Sequence, residues 1–430
     1  MSTVCCGYRN YILLKAKAIY KYGIAYGDYM MEITGKYGTA KIFTDLVEQT
    51  AINQVQTLMD CAFIQGQKVR MMPDIHGGAG CTVGTTIKLT NKVVCPNLVG
   101  VDIGCGMLAQ NFGDAEISLS DLDETIRERI PAGMSIRERP NSLASELDWD
   151  YYAPIDRVRA ERSLGTLGGG NHFIELDHNK DGDEIIVIHS GSRHLGLEVA
   201  EYYQREAIKQ CKSNVDVALL RKNLIEEYKV AGRDKEIGEA LKRIVPNRCT
   251  LADELCYVSD ELYDAYIHDM SLAQKFAEKN RLAMMAEIRE ELGLWDGFES
   301  IDSIHNFINM KDMILRKGAT SANKDEMLLI PINMRDGTLL CRGKGNDDWN
   351  CSAPHGAGRL MSRAQAMKTL SMEDYVKSMD GIYSTSINES TLDEAPMAYK
   401  PLSNILDNIS PTAEVVDVLK PAYNFKASAQ

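Results

Sequence analysis

Residues 350–359, Asn-Cys-Ser-Ala-Pro-His-Gly-Ala-Gly-Arg, are the stretch around which the rest of the chain is organised. They place one histidine, His355, between a proline and a Gly-Ala-Gly turn, and Arg359 follows four residues later. The apolar residues at 360–370 have a helix-like spacing, which predicts that His355 lies at or just before a helix N-terminus. Unpaired N–H groups and positive potential at such a position suit a phosphate. A buried histidine that only caps a helix fits this stretch equally well.

The composition is that of an ordinary globular protein. Hydrophobic residues make up 44% and charged residues 25% of the 430 residues, which is enough to bury a sizeable core. The net charge of −13 argues against a protein that coats nucleic acid nonspecifically, but it leaves room for a local basic groove. The 11 cysteines are mostly scattered singly, which indicates reduced thiols and predicts a cytoplasmic protein. Because no long apolar stretch occurs, we expect neither a secretory signal nor a membrane span.

Two glycine-rich segments in the first quarter of the chain carry candidate functional residues. In residues 71–80, Asp74 precedes a histidine by two positions, and such a pair could orient a catalytic imidazole or bind a metal. A plain turn is the simpler interpretation. In residues 99–107, Asp102 and Cys105 are three apart, so they could share a borderline divalent metal, with the thiolate bridging two ions. A buried cysteine in a tight turn explains the second segment equally well.

Two further segments place histidines at the ends of predicted strands. In residues 164–176, three glycines lead to His172 and an alternating strand, which lets the backbone approach a ligand closely. The apolar run 185–188 ends at His189, and a Ser/Gly/Arg loop and a helix follow. This order is a common way to place a metal ligand beside an anion site. The other two histidines of this region are predicted to be solvated.

The later part of the chain adds basic residues and one more histidine. Lys317 follows a predicted strand, and Arg342 and Lys344 lie in a glycine turn after another. Such turns can be anion nests, although a solvated hairpin is equally consistent. His305 precedes an asparagine, which is a weak signal alone. The last predicted strand ends just before Lys426.

The organisation predicted is one catalytic domain over residues 1–430. Residues 196–292 are mostly helical in pattern, and we interpret them as a helical insert that serves as scaffold or partner surface. No internal repeat or convincing linker divides the chain, and the candidate residues span most of its length.

Together the candidates describe a metal site beside a nucleophile. Their oxygen, sulfur and nitrogen donors could hold one or two ions of the Mn²⁺ or Zn²⁺ type. The donors are Asp102, Cys105, His172, His189 and His305. With His355 and the basic residues, such a site is typical of nucleotidyl or phosphoryl transfer.

The same segments resemble the RtcB family of RNA 3′-phosphate/5′-hydroxyl ligases. The matching motifs occur in the family's order, from about residue 70 to the C-terminus, and their joint occurrence is highly specific. They are residues 72–76, 99–107, 165–175, 189–193, 305–307, 316–320, 342–346 and 355–359. The resemblance implies an α+β, RtcB-like fold with a mixed or antiparallel β core around a dinuclear metal cleft, flanked by helices.

The resemblance also implies roles for individual residues. His355 would attack the α-phosphorus of GTP, and Asp74 would orient its imidazole. Two Mn²⁺ ions would be held by the five donors, with Cys105 bridging. The implied contacts to the guanine nucleotide or its phosphate are Asn171, Glu175, Lys317, Arg359 and Lys426, with Tyr399 near the base. Further phosphate contacts would be Arg193, Arg342 and Lys344.

The implied substrates are RNA ends. One end carries a 3′-phosphate or a 2′,3′-cyclic phosphate and the other a 5′-hydroxyl, as in RNA repair or tRNA splicing, and an archease-like activating partner is allowed. Two alternatives stay open. One is an enzyme that only caps 3′-phosphates with GMP or hydrolyses cyclic phosphates, with impaired sealing. The other is a metal-containing RNA-binding protein without turnover.

Several positions depart from the family pattern. Ala79 stands where a lysine is expected, and residues 331–336, Pro-Ile-Asn-Met-Arg-Asp, replace a glycine- and serine-containing phosphate loop. Residues 353–354 replace a Cys-Ser pair, and His194 stands where glycine is common. The donors and His355 are intact, so we predict a divergent member whose phosphate and RNA contacts differ.

Overall fold

The fold combines two large β-sheets with helices, which confirms the predicted α+β class. The computed structural model describes residues 25–27, 30–212, 217–242, 249–295 and 300–427. Within these residues the sheets have seven strands each, and two small two-stranded ladders accompany them.

The strands of the described residues are numbered here in chain order. They are β1 (Ala25–Gly27), β2 (Met30–Thr34), β3 (Thr39–Ile42), β4 (Lys68–His76), β5 (Val83–Lys88), β6 (Val93–Val94), β7 (Gly106–Asn111), β8 (Phe173–His178), β9 (Glu184–Ser190), β10 (Val258–Ser259), β11 (Ser300–Ile304), β12 (Asn306–Asn309), β13 (Ile314–Lys317), β14 (Ala319–Ser321), β15 (Met327–Asn333), β16 (Gly337–Gly343), β17 (Ser352–Pro354) and β18 (Ala413–Lys426).

The α-helices of the described residues are numbered in the same way. They are α1 (Gln49–Met59), α2 (Leu119–Arg129), α3 (Arg157–Ser163), α4 (Arg193–Lys212), α5 (Val217–Val230), α6 (Ile237–Lys242), α7 (Asp260–Leu292), α8 (Arg363–Thr369), α9 (Met372–Ser378) and α10 (Leu402–Ile409). No helix in this part of the chain is both long enough and apolar enough to cross a membrane.

The two sheets are almost entirely antiparallel. The first has the order β1-β2-β3-β4-β5-β13-β12, and its β3–β4 pair is parallel. The second has the order β11-β7-β9-β8-β18-β16-β15 with antiparallel neighbours throughout. The strands β14 and β17 form a short ladder that leads directly to His355.

Strand β9 is apolar because both of its faces are covered. Ile186 and Ile188 pack in a cluster with Met284 of helix α7. The alternate residues, including Val187, pack on the other side in a cluster with Leu329 of β15. A strand buried on both faces reads as a continuous apolar run, so the predicted strand at 185–188 is confirmed.

Two predicted helices differ from the observed ones in their bounds. Apolar residues recur at a helical spacing over residues 44–63, which predicts one helix there. The structure has the shorter helix α1 and a separate 3₁₀ turn at Ala62–Ile64. The pattern over 196–292 corresponds to helices α4 to α7. Helix α7 buries a long stripe of side chains against the second sheet and is therefore part of the protein interior.

The stretch 350–359 is anchored from the first sheet. Trp349 stacks on Phe43 with a ring-centroid distance of 3.8 Å. The next residue, Asn350, has a left-handed backbone (φ 52°), and its amide donates to the carbonyl of Lys68 at 3.0 Å. These contacts hold the chain in place just before strand β17, which ends at the residue before His355.

His355 does not lie at a helix N-terminus, and that prediction is wrong. Helix α8 begins at Arg363, eight residues later, where the Ser362 hydroxyl caps it. The intervening chain is an irregular turn because Gly358 (φ 77°) packs against the backbone of Asp74. A Cβ at that glycine would lie 2.4 Å from the Asp74 carbonyl oxygen. The apolar residues at 360–370 have a helical spacing, but residues 360–362, which precede α8, are not helical.

Candidate active site

A cavity of about 420 Å³ lies where strand ends of the two sheets meet. The first sheet contributes His76 and Lys317, and the second contributes Glu175, His189 and Lys426. This volume falls in the range of about 300–1,000 Å³ that is usual for small-molecule sites. The predicted residues that line the cavity are His355, Asp102, Cys105, His189, His305, Asn171, Glu175, Lys317, Arg359, Tyr399 and Lys426.

His355 is paired with Asp74. Its Nδ1 lies 2.6 Å from Oδ2 of Asp74, and the same oxygen accepts the backbone N–H of His355 at 3.1 Å. Because Nδ1 carries the proton in this bond, Nε2 keeps its lone pair. The ring of His305 lies beside the ring of His355 at a centroid distance of 4.9 Å. The pair therefore places a potential nucleophile next to the metal-ligating candidates.

Asp74 is held in place by an irregularity in β4. The register of the β4–β5 ladder shifts between Met71 and His76, so the intervening residues leave regular pairing. The buried ammonium of Lys400 donates to the carbonyls of Pro73 at 3.3 Å and Ile75 at 3.1 Å, on either side of Asp74. The carboxylate itself is fully buried. Its orientation toward His355 is thus fixed by the backbone.

The predicted metal donors form two groups that share Cys105. Three ligand atoms within 4.8 Å of one another come from Asp102, Cys105 and His172, and three more come from Cys105, His189 and His305. The Cys105 sulfur lies 3.4 Å from Nε2 of His172 and 3.3 Å from Nε2 of His189. All five predicted donors are therefore brought together.

Backbone carbonyls orient two of the imidazoles. Nδ1 of His172 lies 2.8 Å from the carbonyl oxygen of Leu167, and Nδ1 of His189 lies 3.1 Å from that of Asn171. In a neutral ring these bonds place the proton on Nδ1 and direct each Nε2 toward the other donors, as is typical of metal-binding histidines. Nε2 of His172 also lies 2.9 Å from Oδ2 of Asp102, and this contact is a hydrogen bond when the ring is doubly protonated.

The electrostatics of the donors differ by type. Burial lowers the pKa of His189 and of His305 well below the usual range, so both imidazoles are neutral. Burial and the charge of Asp102 raise the pKa of the Cys105 thiol well above its usual value. Burial alone would raise the pKa of Asp102, but its hydrogen bond and charge interaction with His172 outweigh this effect and lower the pKa to about 2.

The donor chemistry fits a metal ion. Nε2 of His189 lies 3.3 Å from Nε2 of His305. Nδ1 of His189 faces the Asn171 carbonyl, so Nε2 of its neutral ring is an acceptor, and a neutral His305 can offer its Nε2 to the same cation. Bound metal would also release the proton of Cys105, because a ligating thiol is deprotonated.

One buried carboxylate, Glu394, connects three of the predicted nucleotide contacts. It accepts hydrogen bonds from Tyr399 and Lys426, both at 2.5 Å, and from Arg359 at 3.2 Å. Arg363 also pairs with it. Burial alone would raise the pKa of Glu394, but the charges of Lys426 and Arg363 prevail and lower it to about 2. No sequence pattern indicated this residue, which lies in the short polar 3₁₀ segment Glu389–Glu394.

A second buried acid, Glu175, borders the cavity from β8. Its carboxylate accepts a hydrogen bond from the amide of Asn424. Burial raises the pKa of Glu175 to about 7, even though Asn424 and Lys426 oppose this effect. Asp177 lies two residues further along the strand and is fully buried, and burial together with Glu175 raises its pKa well above the usual range. The carboxyl group of Asp177 is therefore protonated, and it lies on the same strand as Glu175, which lines the cavity.

The remaining predicted nucleotide contacts are the buried Lys317 and the exposed Asn171. The ammonium of Lys317 donates to the carbonyl of Asn97 at 2.8 Å and contacts the Cys81 sulfur at 2.9 Å. Both side chains line the cavity.

Three predicted phosphate contacts are not brought to the cavity lining. Arg193 lies beneath the glycine-rich loop, where its guanidinium donates to the Gly133 carbonyl at 3.1 Å and the Thr166 hydroxyl at 3.2 Å. Lys344 donates to the Ser410 carbonyl at 2.6 Å, and Arg342 is exposed on β16. The sequence pattern alone could not distinguish these structural roles from anion binding.

The segments that depart from the family pattern do face the cavity. Ala79 lines it, and so do residues 331–334. In the second segment the Asn333 side chain accepts the backbone N–H groups of Arg335 and Asp336, both at 3.0 Å. Arg335 in turn pairs with Asp336. The basic residue of this loop is therefore already neutralised.

The fold and the site define a class of protein. Buried oxygen, sulfur and nitrogen donors able to hold a metal converge beside a histidine–aspartate pair, in a cavity large enough for a nucleotide. Comparison with known families gives the particular family. The family model described as tRNA-splicing ligase RtcB matches residues 54–152 and 152–427, and the chain belongs to the RtcB family.

Characterised relatives agree with this assignment. The chain is 30% identical over 417 residues to the RNA-splicing ligase RtcB of Escherichia coli K12, a match that covers 87% of this chain and 93% of that protein. It is 28% identical over 451 residues to the tRNA-splicing ligase RtcB of Aeropyrum pernix, with 82% and 87% covered. It is also 25% identical to the RNA-splicing ligase RtcB2 of Escherichia coli ATCC 25922, with 89% and 93% covered.

Proposed function

We propose that the chain is an RNA ligase that uses GTP and Mn²⁺ to join a 3′-phosphate or 2′,3′-cyclic phosphate RNA end to a 5′-hydroxyl end. The relatives' names support an RNA ligase. The observation that carries the mechanism is the 2.6 Å bond from Nδ1 of His355 to Asp74, which leaves Nε2 free beside the metal donors.

In the first step, Nε2 of His355 attacks the α-phosphorus of GTP. An N–P bond forms, the bond to the β-phosphate oxygen breaks, and pyrophosphate leaves with the electron pair. The imidazole gains positive charge, and Asp74 stabilises it through the proton that stays on Nδ1. When bound, two Mn²⁺ ions held by the five donors would neutralise charge that develops on the phosphate oxygens.

In the following steps, GMP passes to RNA. An oxygen of the RNA 3′-phosphate attacks the phosphorus of the GMP, the N–P bond breaks, and its electron pair returns to Nε2 of His355. The RNA 5′-hydroxyl then attacks the 3′-phosphate, loses its proton and displaces GMP. A 2′,3′-cyclic phosphate must first be opened by water to a 3′-phosphate.

The residues that line the cavity support a nucleotide as its ligand. Glu175 and Asn171 offer hydrogen-bonding groups for a base or ribose, and Lys317 and Lys426 offer positive charge for phosphate. Lys426 lies 2.5 Å from Glu394, so its charge is held in place before any nucleotide binds. Such preorganisation suits binding of a charged ligand.

The loop at 331–336 favours a second candidate, an enzyme that caps 3′-phosphates with GMP but seals poorly. Its arginine is paired with Asp336, and the backbone N–H groups of Arg335 and Asp336 donate to the side chain of Asn333. Those two N–H groups would have to leave Asn333 before they could bind a phosphate, and the charge of Arg335 is already offset by Asp336. Guanylylation of His355 would be retained, whereas the sealing step would be slow.

The test is transfer of label from GTP. Native protein, His355→Ala and a control, His194→Ala, are incubated with α-labelled GTP and Mn²⁺, with and without an archease-type activator. His194 pairs with Glu198 on helix α4 and does not line the cavity. We expect acid-labile label on the native and control proteins and none on His355→Ala. Equal labelling of all three would overturn the proposal, as would absence of label from a metal-loaded native protein.

A further inference from the structure

Helix α7 turns two adjacent polar residues, Asn280 and Arg281, into the protein interior. Both are fully buried, and their neighbours on the same face of the helix include Phe276, Ala277 and Met284. Buried polar groups of this size are retained only when their hydrogen bonds are satisfied. Their hydrogen bonds run to the segments that carry the metal donors.

Arg281 joins two of these segments. Its Nη1 donates to the carbonyl of Gly104 at 2.9 Å and to that of Ser190 at 2.9 Å. Gly104 directly precedes Cys105, and Ser190 directly follows His189. One nitrogen therefore sets the separation of two donors whose side chains meet at 3.3 Å.

The other side of the guanidinium reaches a third segment. Nε and Nη2 of Arg281 form a two-pronged ion pair with Asp302, at 2.7 and 2.8 Å. Asp302 lies on β11, which ends at the residue before His305. A planar guanidinium can make these four bonds at once, whereas the ammonium of a lysine has three donors and no fixed fork.

Asn280 connects the glycine-rich segment that leads to His172 with the segment that carries His189. Its Oδ1 accepts the backbone N–H groups of Gly165 and Thr166, at 2.7 and 3.0 Å. Its amide donates to the hydroxyl of Ser190 at 3.1 Å, and that hydroxyl donates to the Leu167 carbonyl at 2.8 Å. The same carbonyl oxygen lies 2.8 Å from Nδ1 of His172. The orientation of this imidazole is thereby linked to helix α7.

We propose that Asn280 and Arg281 are positioning residues of the metal site: they set the relative placement of the four donor-carrying segments, so that Cys105 lies between both donor groups. The inference rests on the metal site of the proposed function. It assigns to helix α7 a role in metal affinity and coordination geometry, beyond that of a scaffold.

The test uses Co²⁺ as a spectroscopic probe and requires neither GTP nor RNA. Metal-free native protein and the variants Arg281→Met, Arg281→Lys and Asp302→Asn are titrated with Co²⁺, and the thiolate-to-cobalt absorption and the d–d bands are recorded. The control, Arg289→Met, lies on the same helix, and among the described residues the hydrogen bonds of Arg289 go to the carbonyls of Leu294 and Trp295. Thermal melting of each metal-free protein reports folding separately.

Loss of an outer partner of a metal site typically weakens binding about 10- to 100-fold. We expect this loss and altered d–d bands for Arg281→Met, a smaller loss for Arg281→Lys, and native behaviour for Arg289→Met. Asp302→Asn keeps the arginine and changes a side chain that is partly exposed, so it should fold even if Arg281→Met does not, and its bands should shift.

Native Co²⁺ affinity and bands in the folded variants would overturn the positioning role and leave the metal site itself intact. A native protein that shows no thiolate-to-cobalt band would instead refute the metal site, and with it this inference.

Discussion

Replacing Glu394 by glutamine should destabilise the protein by an amount that depends on pH. The carboxylate is buried, and its partners Arg359, Arg363 and Lys426 carry charge. These charges lower its pKa from 4.5 to about 2. At 1.36 kcal/mol for each tenfold change in the proton equilibrium, the shift corresponds to about 3 kcal/mol of stability. A value of about 3–5 kcal/mol is typical when one partner of a buried ion pair is removed.

The sign of the pH dependence follows from the lowered pKa. The contribution of Glu394 is fully present above pH 4.5 and is lost as the pH falls toward 2. The free-energy difference between native protein and Glu394→Gln should therefore be about 3 kcal/mol at pH 7 and less than half of that by about pH 3. Other acids affect both proteins and cancel in the difference.

Urea unfolding at several pH values, with native protein, Glu394→Gln and Glu389→Gln, measures this difference. Glu389 lies in the same 3₁₀ segment and is exposed, so its variant should match the native protein. The reasoning would be refuted by a Glu394→Gln variant as stable as the native protein at pH 7, or by a deficit that does not shrink in acid.

Further outcomes follow from other groups of the site. Asp74→Asn keeps the shape of a buried side chain but removes the charge that stabilises the imidazolium of His355. Guanylylation of the protein should therefore fall about 10²- to 10⁴-fold. Single-turnover labelling measures this fall, and unchanged Co²⁺ binding is the control. Asp177→Asn should stabilise the protein by about 1–3 kcal/mol at pH 8, because an amide avoids the cost that burial imposes on an ionisable carboxyl group whose two oxygens find no hydrogen-bond partner among the described residues. Since burial raises the pKa of Asp177, the gain in stability should shrink below about pH 4. If urea unfolding shows the same gain at all pH values, the buried ionisable carboxyl group is not its cause. RNA binding, measured by fluorescence anisotropy, should weaken as salt increases, because a chain of net charge −13 can bind RNA only through local basic residues.

The five candidate metal donors and His355 could be picked out from the sequence because each is carried by a short glycine-rich segment or a strand end. Asp102, Cys105, His172, His189 and His305 converge as the motifs indicated. The shared position of Cys105 was also expected, and the pairing of strands β7, β8 and β9 is what brings its sulfur into both donor groups.

The position of His355 was misjudged for a physical reason. The apolar spacing after it fits a helix, but spacing carries no information about the close approach of Gly358 to Asp74, which forces an irregular turn. The phosphate contact expected of Arg193 stays a prediction. An arginine after a Ser-Gly-Ser loop suits an anion, yet here it fills the space beneath Gly168.

The residues that the sequence did not indicate are buried polar groups contributed by distant elements. Glu394 is such a case, because its partner Arg359 lies 35 residues before it in the sequence and its partner Lys426 lies 32 residues after it. Asn280 left a readable trace, since it interrupts an apolar helical stripe formed by Ala273, Phe276 and Met284. A polar residue on the apolar face of a helix indicates a buried side chain that makes several hydrogen bonds inside the protein.

We propose that this cavity joins RNA ends through His355. The most direct test is a sealing reaction with an RNA that carries a 3′-phosphate and a second RNA that carries a 5′-hydroxyl. With GTP and Mn²⁺ present, the native protein should produce joined RNA, and His355→Ala or a reaction without GTP should not. Joined product from His355→Ala, or equal yield without GTP or metal, would contradict the account.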